Sequence, residues 1–441
     1  MQPISNPSTC APTEKSLRVA IGLGELSFGG NSLNALDLAT TLRRNGCQVT
    51  VFGIHDDPPV SVLPVAEERG WHVEVLPAAA SNWAQAQHFR KLVERDKFDV
   101  IHVFGVGQAA SAVLALARHS RCAVIVTNWG MSNVTGLPPN TPLIVGTEEL
   151  RESAASSRWG PVWLMEPPVN LDADLSSPEQ SLDFRTRWQI SPDAPLLVIV
   201  SRLEKSMKAE GIANVMHAVA HLNAPELRLA VVGDGDAAAT LRCLAEEVNA
   251  RVGAKVIMMT GLMNDPRPAY SAADLVLAMG GAAIRGLSFG KPLIVLGSDG
   301  FSKPFTQNNL PYFMRYGFYG NGSDGDPIEK LSFHIHEMLN PTIRDELSHF
   351  GRRVVTERFA LETATQNLLC MYQRALAGST LSRRCADVAF VLGRDAAHHV
   401  LALCPTRVSS AIRSSYHQGL RRALTVGRRL TRANPTGASE V

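Results

Sequence analysis

The chain has 441 residues, 45% of them hydrophobic and 19% charged, with a formal net charge of +2. That length exceeds one ordinary core and predicts two domains of a soluble globular protein, and the near-neutral balance demands neither nucleic acid nor a polyanionic substrate. No apolar run reaches the roughly eighteen residues of a membrane span, and the polar start MQPISNPSTCAPTEKS lacks the apolar stretch of a secretory signal.

Residues 1–16 read as a flexible tail. LRVAIGLG then predicts a strand, followed by Gly29-Gly30 and a helix over about 31–45 that Gly46 stops. QVTVFG and HVEVLP are the next strands, with a helix over 83–94. DVIHVFG and CAVIVTNWG follow with a helix between them, and LIVGTEELRE turns from strand to helix. Strands alternating with helices at this spacing imply crossover units and a parallel sheet.

The alternation pauses at MEPPVNLDADLSSPEQSL, whose proline, serine and acid content marks an interdomain linker. It resumes as LLVIVSRL, LRLAVVGDG, KVIMMTG, DLVLAMG and PLIVLG, each followed by a helical pattern or a turn. A looser stretch over 319–327 leads into two helices, the second near 361–377. The expected domains are 17–170 and 171–360, with helix 361–378 returning to the first domain and a basic extension over 379–441. The fold class is α/β: two Rossmann-like domains whose parallel sheets face across a cleft, ligands sitting at the carboxyl ends of the strands.

Seven scattered cysteines form no C-x-x-C pair and no metal spacing, which fits a reducing cytoplasm. The last 63 residues carry ten arginines against three acids, leaving a mildly acidic body. Within them, 409–432 has apolar residues at helical spacing beside Arg413, Arg421, Arg422, Arg428 and Arg429. Docking on the body, peripheral contact with anionic lipid at the inner face of a membrane, and disorder are its three alternatives.

The sharpest signals lie between 196 and 295. Arg202 ends one strand and Lys208 follows six residues later. Gly233-Asp234-Gly235 ends the next strand, and a glycine-containing helix start follows Met279. A guanidinium fork, an ammonium point charge and unobstructed helix N–H groups are what a diphosphate requires. For Arg202 and Lys208 the competing reading is surface charge. For Met279-Gly280-Gly281 it is a tight turn.

These residues resemble a family. Ser201-Arg202-Leu203, Lys208, Gly233-Asp234-Gly235 and Arg285-Gly286-Leu287-Ser288-Phe289-Gly290-Lys291-Pro292 are similar to the nucleotide-binding domain of retaining glycosyltransferases with the GT-B fold, family 4, the glycosyl transferases group 1. The likeness extends more loosely to Gly29-Gly30, DVIHVFG, TNWG and the segment ERFALETATQNLLCMYQRAL. It implies transfer of a hexose-like sugar from a UDP- or GDP-sugar to a small-molecule acceptor, as in natural-product or antibiotic biosynthesis. No cofactor and no metal ion are expected, because Arg and Lys take the place of the ion and no D-x-D pair ends a strand.

By this resemblance Arg202, Lys208 and Asn128 are catalytic. Donor binding falls to Gly29, Gly30, Ser201, Gly233, Gly235, Gly261, Leu262, Met279, Gly280, Gly281, Ala282 and Arg285. His102 and Trp129 lie on the acceptor side, with a structural role as the alternative for His102. Three positions depart from the family: Arg285 and Leu277 stand where two Glu are usual, and Asn128 stands where a His is usual. The expected donor and acceptor are the partners. The alternatives are a catalytically silent GT-B subunit and, through the glycine pairs at Gly22-Leu23-Gly24 and Gly233-Asp234-Gly235, a Rossmann oxidoreductase. Both pairs lack the third glycine of the dinucleotide fingerprint, with Ser27 and Ala238 in its place.

Overall fold

The computed structural model describes residues 16–403 apart from 59, 119–121, 131 and 133–135. All but the last residue of the expected 1–16 tail, and the whole Arg-rich stretch 409–432, lie outside the described residues. The chain forms two compact units, one running to Glu166 and resuming at Thr365, the other spanning Pro167–Ala364. Among the described residues no helix is long and apolar enough to cross a membrane.

The first unit alternates β1 (Arg18–Glu25), α1 (Gly30–Arg44), β2 (Gln48–Ile54), α2 (Leu63–Glu68), β3 (Val73–Leu76), α3 (Asn82–Asp96), β4 (Val100–Phe104), α4 (Ala109–Ala115), β5 (Ala123–Asn128), β6 (Leu143–Val145), α5 (Glu148–Ser157) and β7 (Val162–Leu164). Its seven strands lie in the order β3-β2-β1-β4-β5-β6-β7, every pair parallel. The sequence pattern showed six of these strands. β7 escaped it because VWL is only three residues long and runs straight into the proline-rich linker.

The second unit holds α6 (Pro178–Arg187), β8 (Leu196–Val200), α7 (Ala209–Leu222), β9 (Arg228–Val232), α8 (Ala238–Val252), β10 (Ile257–Gly261), α9 (Arg267–Ala272), β11 (Leu275–Ala278), α10 (Gly281–Ser288), β12 (Leu293–Leu296), β13 (Ser302–Pro304), α11 (Leu310–Tyr316), α12 (Pro327–Met338) and α13 (Pro341–Arg358). The order is β10-β9-β8-β11-β12-β13, parallel except for the short antiparallel edge strand β13. Both faces of this sheet are buried. Leu196 and Val198 enter one apolar cluster while Leu197 and Ile199 enter another, the reason β8 reads as an unbroken apolar run rather than an alternating one.

Two helices were expected between residues 327 and 378, and the described chain has three there. Asn340 accepts from the backbone N–H groups of Thr342 and Ile343, and Pro341 sits in the first turn of α13, so a new helix starts where α12 stops. α14 (Leu361–Gly378) and α15 (Leu381–Leu403) complete the described chain. From Thr365 onward α14 belongs to the first unit, where the Thr365 hydroxyl meets that of Thr41 at 2.6 Å.

In each sheet the strand order reverses direction at one point, between β1 and β4 and between β8 and β11. Loops diverge there at the carboxyl edge and leave room for a ligand. β8, β9 and β11 therefore carry Arg202, Gly233 and Gly280 to neighbouring positions on one edge of the second sheet.

Candidate functional site

At that edge the loop after β8 lies backbone to backbone against the loop after β9. Ser201 N–H donates to Val232 O at 3.0 Å and Leu203 N–H to Asp234 O at 2.9 Å. Contact this close leaves no room for side chains. A Cβ on Gly233 would lie 1.8 Å from Ser201 O, and one on Gly235 would lie 2.5 Å from Leu203 O, with φ of +142° and +154°. Both glycines are thus required by packing. Gly261 O accepts from Gly233 N–H at 2.9 Å, which ties the end of β10 to the same edge, with Leu262 exposed beyond it.

Arg202 and Lys208 converge. Arg202 Nη2 lies 3.0 Å from Glu204 Oε1, and Lys208 Nζ lies 3.8 Å from Glu204 Oε2. The Arg202 side chain is 57% exposed and that of Lys208 18%. Burial pulls the Lys208 ammonium below its usual pKa, a shift that Glu204 opposes and Arg202 reinforces. Glu204 was missed in the sequence, although its place between the two cations, four residues before Lys208, was a readable signal.

The loop after β11 supplies the helix start. Gly280 adopts φ +59° and donates its N–H to Phe318 O at 2.7 Å, and Gly281 opens α10 with nothing within 4 Å of where a Cβ would stand. Free space at the first turn of a helix leaves its N–H groups approachable by an anion. Met279 and Ala282 are half-buried and pack against the two apolar clusters. Across the same edge Glu210 accepts from the N–H groups of Asp299 and Gly300 at 3.1 and 2.9 Å, holding a turn of positive φ that sequence reading also missed.

Arg285 does not reach toward this opening. Its Nε lies 3.1 Å from Asp174 Oδ2, a carboxylate whose side chain is only 5% exposed. Asp174, in the segment that the sequence marks as an interdomain linker, thus supplies the partner of the residue expected to bind the donor. Leu277, where the family has its other Glu, is fully buried in β11.

In the first unit His102 is enclosed by its neighbours on every side. It sits in the middle of β4 rather than at its end and is fully buried. One ring nitrogen meets Thr127 Oγ1 at 2.7 Å, the other Tyr372 OH at 2.8 Å. Burial drives its pKa down to about 3, so it stays neutral and structural. The Asn128 amide is engaged locally, accepting from Gly130 N–H and donating to Ser132 O, both at 3.2 Å. Trp129 donates its indole N–H to Met165 O at 2.7 Å and rests against Phe104. Gly29 caps α1 in an extended conformation, and neither it nor Gly30 has anything within 4 Å of a would-be Cβ.

The glycine pair that hinted at a dinucleotide fingerprint has a packing cause. A Cβ on Gly22 would lie 2.7 Å from the Phe52 ring, and one on Gly24 would lie 2.5 Å from Phe104 O.

The first unit matches the Glycosyltransferase Family 4 profile over residues 28–158, and the second matches Glycosyl transferases group 1 over residues 181–309. Together these cover more than half of the chain. A comparison with curated protein sequences returns no match. Among solved structures, a glycosyltransferase from Rickettsia africae aligns with TM-score 0.66 at 14% identity, covering 82% of this chain and 99% of that one. Anabaena HepE in complex with UDP-glucose aligns at TM-score 0.61 and 14% identity, covering 81% and 100%. The N-terminal domain of Candida albicans trehalose-6-phosphate phosphatase aligns at TM-score 0.58 and 9% identity, covering 83% and 98%. At such identities the likeness establishes the fold, and with the two family regions it makes the chain a member of the group 1 glycosyltransferases of GT-B fold.

Proposed function

We propose that the chain is a retaining glycosyltransferase that moves a sugar from a UDP- or GDP-sugar to a small-molecule acceptor. The observation that carries this reading is the convergence of Arg202 and Lys208 on one carboxylate at the carboxyl edge of β8. Two cations that share one anion in the free protein can share another when a diphosphate displaces it. HepE, which has the same fold, was solved with UDP-glucose.

In such a transfer the bond between the anomeric carbon and the diphosphate breaks, and negative charge grows on the departing phosphate. Arg202 and Lys208 stabilise that charge and take the part a metal ion plays elsewhere, while the open N–H groups of α10 add donors from the next strand end. Front-face attack lets the leaving phosphate accept the proton of the acceptor hydroxyl, so retention needs no protein carboxylate. That suits a chain with Leu277 buried where the family has Glu.

A second reading, a catalytically silent subunit that binds nucleotide sugar, draws on Arg285, which is tied to Asp174 instead of carrying the usual carboxylate. Incubation with UDP- and GDP-sugars separates the two. The enzyme releases free nucleoside diphosphate slowly without acceptor, and Lys208→Ala abolishes that release. Nucleotide-sugar binding with no turnover over many hours would establish the silent subunit and exclude the transferase.

A further inference from the structure

A pocket of about 460 Å³ lies wholly within the first unit, at the edge of its sheet away from the carboxyl ends. Cys122 and Ala123 at the start of β5, Pro142 just before β6 and Pro161 just before β7 line it. The junction of α14 and α15 closes one side. Its volume falls among small-molecule sites, roughly 300–1,000 Å³. β5 separates it from Asn128 by five residue steps, about 16 Å at the rise of a strand.

We propose that this pocket is a second ligand site, for a small anionic amphiphile: a phosphate or carboxylate carried on an aromatic or apolar body. The cationic side is made by Arg374, Arg383 and Arg384, of which Arg384 is already engaged, donating to Ser379 Oγ at 3.0 Å. Arg374 makes no hydrogen bond or ion pair among the described residues, and the Arg383 guanidinium donates to Gly378 O at 3.1 Å without a carboxylate partner among them. Planar guanidinium groups in this state suit a bidentate oxyanion. Trp159 and Trp163 with Val113 and Leu116 give the apolar side. Aromatic walls beside cations accept a flat apolar body and its acidic group together.

The pocket's own acid does not fill this role. Asp387 is buried, and its carboxylate accepts from the Asn140 backbone and side-chain N–H groups at 2.8 and 3.1 Å and from Thr141 Oγ1 at 2.9 Å. It fastens α15 to the loop before β6, and these hydrogen bonds go to neither Arg374 nor Arg383.

Calorimetry and tryptophan fluorescence on the full chain with 1-naphthyl phosphate test the site. The expected result is saturable binding of one molecule per chain, unaffected by saturating UDP, with 1-naphthol and inorganic phosphate each binding far more weakly. Combined Arg374→Ala and Arg383→Ala weakens the probe roughly 10- to 100-fold, the loss of charge-assisted hydrogen bonds, while Arg→Lys at both positions weakens it less. An unchanged melting temperature shows that the alanine variant is folded. Displacement of the probe by UDP, undiminished binding by the double alanine variant, or equal binding of 1-naphthol overturns the site. Binding only to phosphatidylglycerol vesicles, with none to the soluble phosphate, does so too, because the arginines then serve a lipid surface. The variant comparison reads independently of whether the chain binds UDP.

Discussion

Arg202 and Lys208 are bridged by Glu204, at 3.0 Å from the guanidinium and 3.8 Å from the ammonium. The bridge keeps two flexible cations at one strand end in the free protein. It also makes Glu204 the competitor of any diphosphate that binds there.

Glu204→Gln removes that competitor. Partly exposed ion pairs are worth about 0.2–1 kcal/mol, so the Michaelis constant for the nucleotide sugar should fall by roughly 1.4- to five-fold. Initial-rate kinetics across donor concentration check the direction, and a rise in KM would show that Glu204 positions the cations more than it occupies them. Arg202→Ala should lower kcat by about 100- to 1,000-fold, the usual effect of removing one transition-state donor.

Two glycines at the same edge should respond oppositely to alanine. Gly233→Ala forces a Cβ to 1.8 Å from Ser201 O at a φ of +142°, and a loss of more than about 3 kcal/mol in unfolding free energy is expected. Gly281→Ala meets open space and gains helix propensity of up to about 1 kcal/mol. Its melting temperature should hold or rise while donor affinity drops. Thermal unfolding beside nucleotide titration distinguishes a packing glycine from a binding one.

Arg285→Ala should cost stability rather than donor affinity. It strips the ion pair from a carboxylate that is 5% exposed, and breaking one side of a buried pair costs about 3 kcal/mol or more. Denaturant unfolding checks the loss. A tenfold rise in donor KM with unaltered stability would instead return Arg285 to the nucleotide.

His102 predicts a pH dependence whose sign is fixed. Its folded pKa, lowered by burial to about 3, lies below the unfolded value of about 6.5. Its contribution is complete above pH 6.5 and is lost as pH falls toward 3, because the unfolded chain takes up the proton. The slope is at most about 1.4 kcal/mol per pH unit. His102→Gln removes this dependence, so the stability gap between wild type and variant should narrow as pH drops from 7 to 5. His334, lowered to about 4 by burial, acts with the same sign in both proteins and cancels. Parallel stability curves for the two proteins would sink the assignment.

Periodicity and turn chemistry made most of the fold legible. The apolar runs that became β1, β2, β4, β5, β8, β9 and β12 are long or strongly apolar, and the glycine at residue 46 stops α1 as expected. The three-residue β6 is legible because Leu143, Ile144 and Val145 are all buried and apolar, whereas the half-buried β7 and the polar β13 carry too little pattern to be recognised. At the site, Arg202 and Lys208 were readable because both are near in sequence to the strand end that positions them.

Local sequence therefore determined the two alternating α/β units and the strand ends that bear the cations. Tertiary structure alone decided what the polar side chains meet. Tyr372, 270 residues away, fills one side of His102, and Asp174, 111 residues away, takes Arg285. A hydrogen-bond partner that distant leaves no trace in local spacing, because burial and pairing are properties of packed elements rather than of the segment that carries the residue.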